Sequence, residues 1–163
     1  MKILLIAMVL SAQDENKTEI TKLESGLQFP VPKAWKAGEP KSKLQQARFT
    51  LASKEKKAGD GELVVCYFGV DGGGSVDSNI DRWVGQFEEA SRDDAKIETL
   101  KEPMEITIVD LSGTYVAETR PGSGERLNLP DTRMLAAIVR TPKGYHYLKL
   151  IGPSGTVGEW EKE

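Results

Sequence analysis

With 163 residues, 39% hydrophobic and 29% charged, the chain has the make-up of one globular domain large enough to bury a core. Its net charge of −3, with both signs interspersed, excludes the basic excess expected of a nucleic-acid binder. A single cysteine, Cys66, excludes an intrachain disulfide framework.

The chain opens on Met1-Lys2, then an apolar run from Ile3 to Leu10, then Ser11-Ala12. A basic start, a short apolar stretch and a small residue at its end have the form of a secretory signal, expected here over residues 1–12. The run is far below the roughly 20 residues needed to span a bilayer, so no transmembrane span is expected. The plainer alternative is a first β-strand. Against it, the polar segment Asp14 to Glu19 reads as a flexible mature N-terminus, taken as residues 13–24, with a single α+β domain over 25–163. Export places the protein in a secreted or periplasmic compartment. Asn16-Lys17-Thr18 forms a glycosylation sequon, which carries no meaning in a bacterial source.

From Leu27 to Pro32 the chain reads as extended, and Pro30 and Pro32 confine it to a sheet edge or to no sheet. Lys33 to Lys43, interrupted by Trp35, Gly38 and Pro40, is a surface connection. Ala47 to Ala52 alternates as a half-buried strand, and Lys54 to Gly61 is a charged hairpin turn. Leu63 to Phe68 is a continuous apolar run, expected as a central strand, with Cys66 as a small core residue inside it.

Asp71-Gly72-Gly73-Gly74-Ser75 then leads into a helix expected over Asn79 to Arg92. Ile80, Trp83, Val84, Phe87 and Ala90 fall on one stripe, with Ser78 or Asp77 as cap and Gly85 as an internal weakness of about 1 kcal/mol. A glycine loop before a helix is a geometry that holds anions. The candidate ligand-binding residues are therefore Gly73, Gly74, Ser75 and Arg82. No lysine and hydroxyl pair closes the loop as a P-loop would, and no dinucleotide fingerprint fits, so the simpler reading is a flexible turn.

Residues 93–103 read as a polar connection ending at Pro103. Met104 to Leu111 and Thr114 to Glu118 read as two antiparallel strands, and Arg120 to Asp131 as a long exposed loop. Within that loop Arg120 and Arg126 form a candidate interaction surface. Arg133 to Thr141 and Tyr145 to Ile151 are the last strands, and Thr156 onward begins a short helix. Alternation puts His146 on the face of Leu148 and Leu150, with Tyr145, Tyr147 and Lys149 opposite. A lone histidine so placed reads as structural. Asp93-Asp94 and Glu88-Glu89 read as solvated charge. No catalytic residue, metal-ligand spacing, nucleophile elbow or cofactor motif stands out.

Three segments carry a resemblance: Phe29-Pro30-Val31-Pro32 with Trp35, Asn79-Ile80-Asp81-Arg82-Trp83 with Gln86-Phe87, and Tyr147 to Pro153. They resemble uncharacterised exported bacterial proteins similar in layout to the PsbP-like α/β/α sandwich, over roughly residues 25 to 160. The resemblance implies an α+β fold, a mostly antiparallel sheet with helices packed on its faces, and protein binding without catalysis. The expected function is an exported, non-enzymatic binding or accessory domain whose partner is another exported or envelope protein. The alternative is a small-anion or ligand-binding protein, or an enzyme, using the Gly72–Ser75 loop with nearby Arg82 or His146.

Overall fold

A computed structural model of the chain describes residues 17–56 and 58–161. The expected signal at 1–12, the start of the mature segment at 13–16 and Asn16 of the sequon lie outside those residues. Among the described residues no helix is long and apolar enough to cross a membrane.

The elements in order are strands β1 (Thr18–Lys22), β2 (Gln28–Pro32), β3 (Lys36–Ala37), β4 (Gln45–Leu51) and β5 (Gly61–Tyr67), then helix α1 (Val76–Val84). They continue with a 3-10 turn (Arg92–Asp94), strands β6 (Lys96–Leu100), β7 (Ile106–Tyr115), β8 (Leu129–Thr141) and β9 (Gly144–Pro153), and helix α2 (Ser154–Trp160). Seven strands form one antiparallel sheet in the order β3-β4-β5-β9-β8-β7-β6. Two meanders, β3 to β5 and β6 to β9, meet where β5 pairs with β9. Helix α1 carries the chain from the centre of the sheet towards the far edge, where β6 begins.

This architecture corrects the expected fold class. The domain is β-rich rather than an α+β sandwich with helices packed on its faces, because the two helices among the described residues have only 9 and 7 residues. One sheet face is covered in large part by strand, not helix. The hairpin β1–β2 pairs Thr18 with Pro32 through Lys22 with Gln28, and sets Leu23, Leu27, Phe29 and Val31 against Val65, Leu148 and Leu150. The segment expected to be a flexible start thus contains a strand of that hairpin. Pro30 and Pro32 are tolerated because the hairpin is a two-stranded sheet of edges.

Helix α1 is shorter than its stripe predicts. Gly85 caps it, its amide donating to Asp81 and Trp83 carbonyls, and the chain then leaves the helix. Two bonds to the end of β7 take over, Val116 N to Gln86 O (2.8 Å) and Glu88 N to Thr114 O (2.9 Å). Phe87 keeps its place in the core as a bridge partner of Tyr115. Burial of Ile80, Trp83, Val84 and Phe87 against Val109, Leu111, Met134 and Ile138 closes the second face.

Other expectations shift for similar reasons. Residues 96–100, expected as a connection, form the edge strand β6, paired with β7 from Lys96–Asp110 to Leu100–Ile106. The two strands expected between Met104 and Glu118 are one, β7, irregular near Gly113. Trp35, expected in a surface connection, packs on Phe49 and Trp160 with ring centroids 6.3 and 6.1 Å away.

The central seam is tight. A Cβ at Gly152 would lie 2.7 Å from the Gly61 Cα. Gly152→Val should therefore cost about 1–3 kcal/mol by forcing β5 and β9 apart. Gly155→Ala, where nothing lies within 4 Å, should change stability by less than about 1 kcal/mol. Urea unfolding followed by tryptophan fluorescence reads both.

Candidate functional site: an unneutralised cation pair beside helix 1

The two-residue period of β9 sends Tyr145, Tyr147 and Lys149 to the α1 face and His146, Leu148 and Leu150 to the hairpin face, as the alternation predicts. On the α1 face the glycine loop is held chiefly through its carbonyls. The buried Asn79 side chain donates from Nδ2 to Gly73 O (2.6 Å) and Ser75 O (2.8 Å). The Tyr147 hydroxyl donates to Gly74 O (3.3 Å). Gly73 needs to be glycine: its φ is +89°, and a Cβ there would overlap the Tyr147 ring and hydroxyl. Ser75, rather than Ser78 or Asp77, is the N-cap, its Oγ accepting from Ser78 N (3.1 Å). These bonds make the loop the anchor of the helix start. Gly73, Gly74 and Ser75 stay close to Arg82, because Arg82 Nη2 donates to the Oδ1 of the same Asn79.

Beyond Arg82 stands a residue the sequence did not single out. Lys149, half-buried on β9, donates from Nζ to Gln86 Oε1 and to the Tyr115 hydroxyl (3.2 Å), and lies 5.2 Å from the Tyr115 ring centroid. Burial pushes its pKa down to about 8, the Arg82 cation adding to the effect and Cys66 opposing it. Half-buried Cys66 belongs to the same cluster; burial raises its pKa, against the pull of Arg82 and Lys149. Burial also raises the pKa of Tyr115, so its hydroxyl keeps its proton at neutral pH.

The partners of these two cations are neutral: an amide oxygen for Arg82, an amide oxygen and a phenol for Lys149. Arg133 and Arg92 are matched differently. Arg133 binds both oxygens of Asp110 (2.8 and 2.7 Å) and also Glu161, which raises its pKa and ties the end of α2 to the sheet. Arg92 pairs with Asp77 (3.0 Å) and Asp81 (2.6 Å), joining the 3-10 turn to α1. Among the described residues, no carboxylate pairs with Arg82 or Lys149. The only signal for Lys149 in the sequence was a charge opposite Leu148 and Leu150, on a face that the apolar stripe of α1 must cover.

The other candidates separate from this cluster. His146 lies on the opposite face, fully buried, stacked on Tyr67 (4.7 Å between centroids, 18° between planes). Ser25 donates its hydroxyl to Gln46 Oε1 (2.7 Å), which leaves His146 Nε2–H as the donor to Ser25 Oγ (2.6 Å) and fixes a neutral tautomer. The structure therefore does not bring His146 to Arg82. Arg120 and Arg126 are exposed on an ordered excursion between β7 and β8, with Thr119 N bonding Glu125 O (2.8 Å), Gly122 N bonding the Glu118 carboxylate (2.6 Å), and a bridge from Glu118 to Arg126. Glu88, Glu89, Asp93 and Asp94 are all exposed, and Asp94 also caps the 3-10 turn through Ser91.

No family model and no curated protein matches the chain.

His146 is the chain's one histidine, and burial lowers its pKa. As pH falls through about 6.5, the unfolded chain binds a proton that the folded chain resists, so this group's share of stability is lost on acidification. His146→Gln should flatten the fall in unfolding free energy between about pH 7 and pH 5 relative to wild type. Urea titrations at several pH values in that range check it; equal slopes would refute the assignment.

Proposed function

We propose that the chain is an exported, non-enzymatic binding domain that takes a small anion between Arg82 and Lys149. The observation that carries this reading is the pair itself, two cations beside one helix with only neutral partners. Taking an ammonium partly out of water without a counter-charge costs free energy, and a neighbouring guanidinium adds repulsion. An anion between them removes both terms at once. Asn79, Gln86 and Tyr115 hold the cations in place, so the ordering is done before the ligand arrives.

Export is proposed from the pattern of residues 1–12, and N-terminal sequencing of the protein from its native source tests it: a chain still starting at Met1 would overturn export.

The ligand reading makes a prediction with two opposite signs. Lys149→Met removes a desolvated ammonium, so it should stabilise the protein at pH 7, on the order of 1–3 kcal/mol. That gain should narrow as pH rises from about 8, where the folded amine loses its proton, towards the unfolded value. The same substitution should abolish the rise in melting temperature that oxalate or inorganic phosphate gives the wild type at constant ionic strength. In the wild type that rise should fade as pH passes through about 8. A response to oxalate no larger than to chloride, or one that survives in both Lys149→Met and Arg82→Gln, would sink the proposal.

A further inference from the structure

Resting on that anion-binding reading, we infer that the ligand carries a carbonyl group beside its negative charge, and that Lys149 Nζ captures the carbonyl as an imine while Arg82 holds the anion. The ligand class is a small aldehyde or 2-oxo acid.

Three features point past simple charge pairing. An amine that serves only as a counter-charge is best kept protonated, by a carboxylate neighbour or by water. Lys149 has neither in full: it is half-buried, its partners are neutral, and Arg82 works against its charge. A substantial fraction of neutral amine follows at neutral pH, which is the form that attacks a carbonyl. Second, Gln86 Oε1 accepts from Nζ and so fixes the direction of the nitrogen. Third, the Tyr115 hydroxyl, 3.2 Å from Nζ and protonated, is a proton donor at hydrogen-bond range of the reacting atom.

The step balances without any other reagent. The Nζ lone pair forms a bond to the carbonyl carbon, and the π pair of the C=O moves onto oxygen. That oxygen takes a proton, which Tyr115 is placed to deliver, and the nitrogen gives up one in return. The carbinolamine hydroxyl takes a second proton from Tyr115 and leaves as water while the nitrogen lone pair closes the C=N bond, and the proton then lost from nitrogen restores the phenol. One water leaves, and nothing is oxidised or reduced. The capture is reversible by hydrolysis, as suits a binding protein.

The test incubates the full chain with glyoxylate and cyanoborohydride at pH 7 and maps the reduced adducts by peptide mass spectrometry. Lys149 should be labelled at least about tenfold faster than the exposed Lys33 and Lys101, because burial leaves a larger share of its amine neutral. Acetaldehyde, which lacks the anion, should label Lys149 more slowly than glyoxylate does. Arg82→Gln should erase that difference, a readout that the shift in amine acidity alone would not move. Lys149→Arg should keep the thermal response to oxalate and lose the adduct. Labelling of Lys149 no faster than that of Lys33 would overturn the imine, as would a glyoxylate preference that persists in Arg82→Gln. If oxalate still stabilises the wild type in that case, the anion site stands without the covalent step. If oxalate fails as well, both fall.

Discussion

The pairing of β5 with β9 is the constraint on which the rest of the molecule depends. It joins two meanders that would otherwise be separate sheets, with register running from Glu62–Ile151 to Tyr67–His146. Because side chains alternate, a slip of one residue would send His146 and Lys149 each to the other's face. The hairpin face would then receive an ammonium among Leu148 and Leu150, and the α1 face would lose the residue that meets Gln86 and Tyr115. The near contact of Gly61 with Gly152 marks one end of this register, and the Tyr67–His146 stack marks the other.

The two faces treat charge in opposite ways. On the hairpin face Arg133 is surrounded by carboxylates, and its guanidinium fork closes the end of α2 onto the sheet. His146 is kept neutral through Ser25 and Gln46. Arg133 is thus neutralised within the fold, and burial disfavours charge on His146, whose Nδ1 is buried without a hydrogen-bond partner. On the α1 face the polar side chains Asn79, Gln86 and Tyr115 hold cations without neutralising them. A protein that needed only a packed core could place an apolar side chain at 149, as it does at neighbouring positions on this face. A half-buried cation there without a counter-charge is the observation on which the anion proposal rests.

Much of the sheet could be read in the chain. The alternation at Ala47 to Leu51 and at Tyr145 to Ile151 identified strands and their faces, because the period of two is local information. The apolar stripe from Ile80 to Phe87 identified the core face of α1, but not its length. Whether Phe87 stays helical depends on β7, whose end offers Gln86 and Glu88 backbone partners from far along the chain. The coverage of the hairpin face escaped for the same reason: polar Thr18 to Lys22 carries no strand signal until β2 is beside it. Arg82 was visible as a charge beside a glycine loop. Lys149 was not, since its meaning lies in the absence of a carboxylate around it, and an absence of that kind exists only in three dimensions.

The topology also assigns the cation repulsion to a particular stage in the life of the chain. Residues paired across β5 and β9 lie about eighty positions apart, whereas β6 to β9 close locally as a meander, so the central seam is the slow, non-local part of assembly. Helix α1 sits inside the segment that this seam must loop out, and Arg82 reaches Lys149 only as the helix docks. The repulsion is thus absent while the sheet is nucleating and present once the domain is whole. Its effect would then fall on the rate of unfolding rather than on that of folding, and the proposed anion, by cancelling it, would act as a brake on opening.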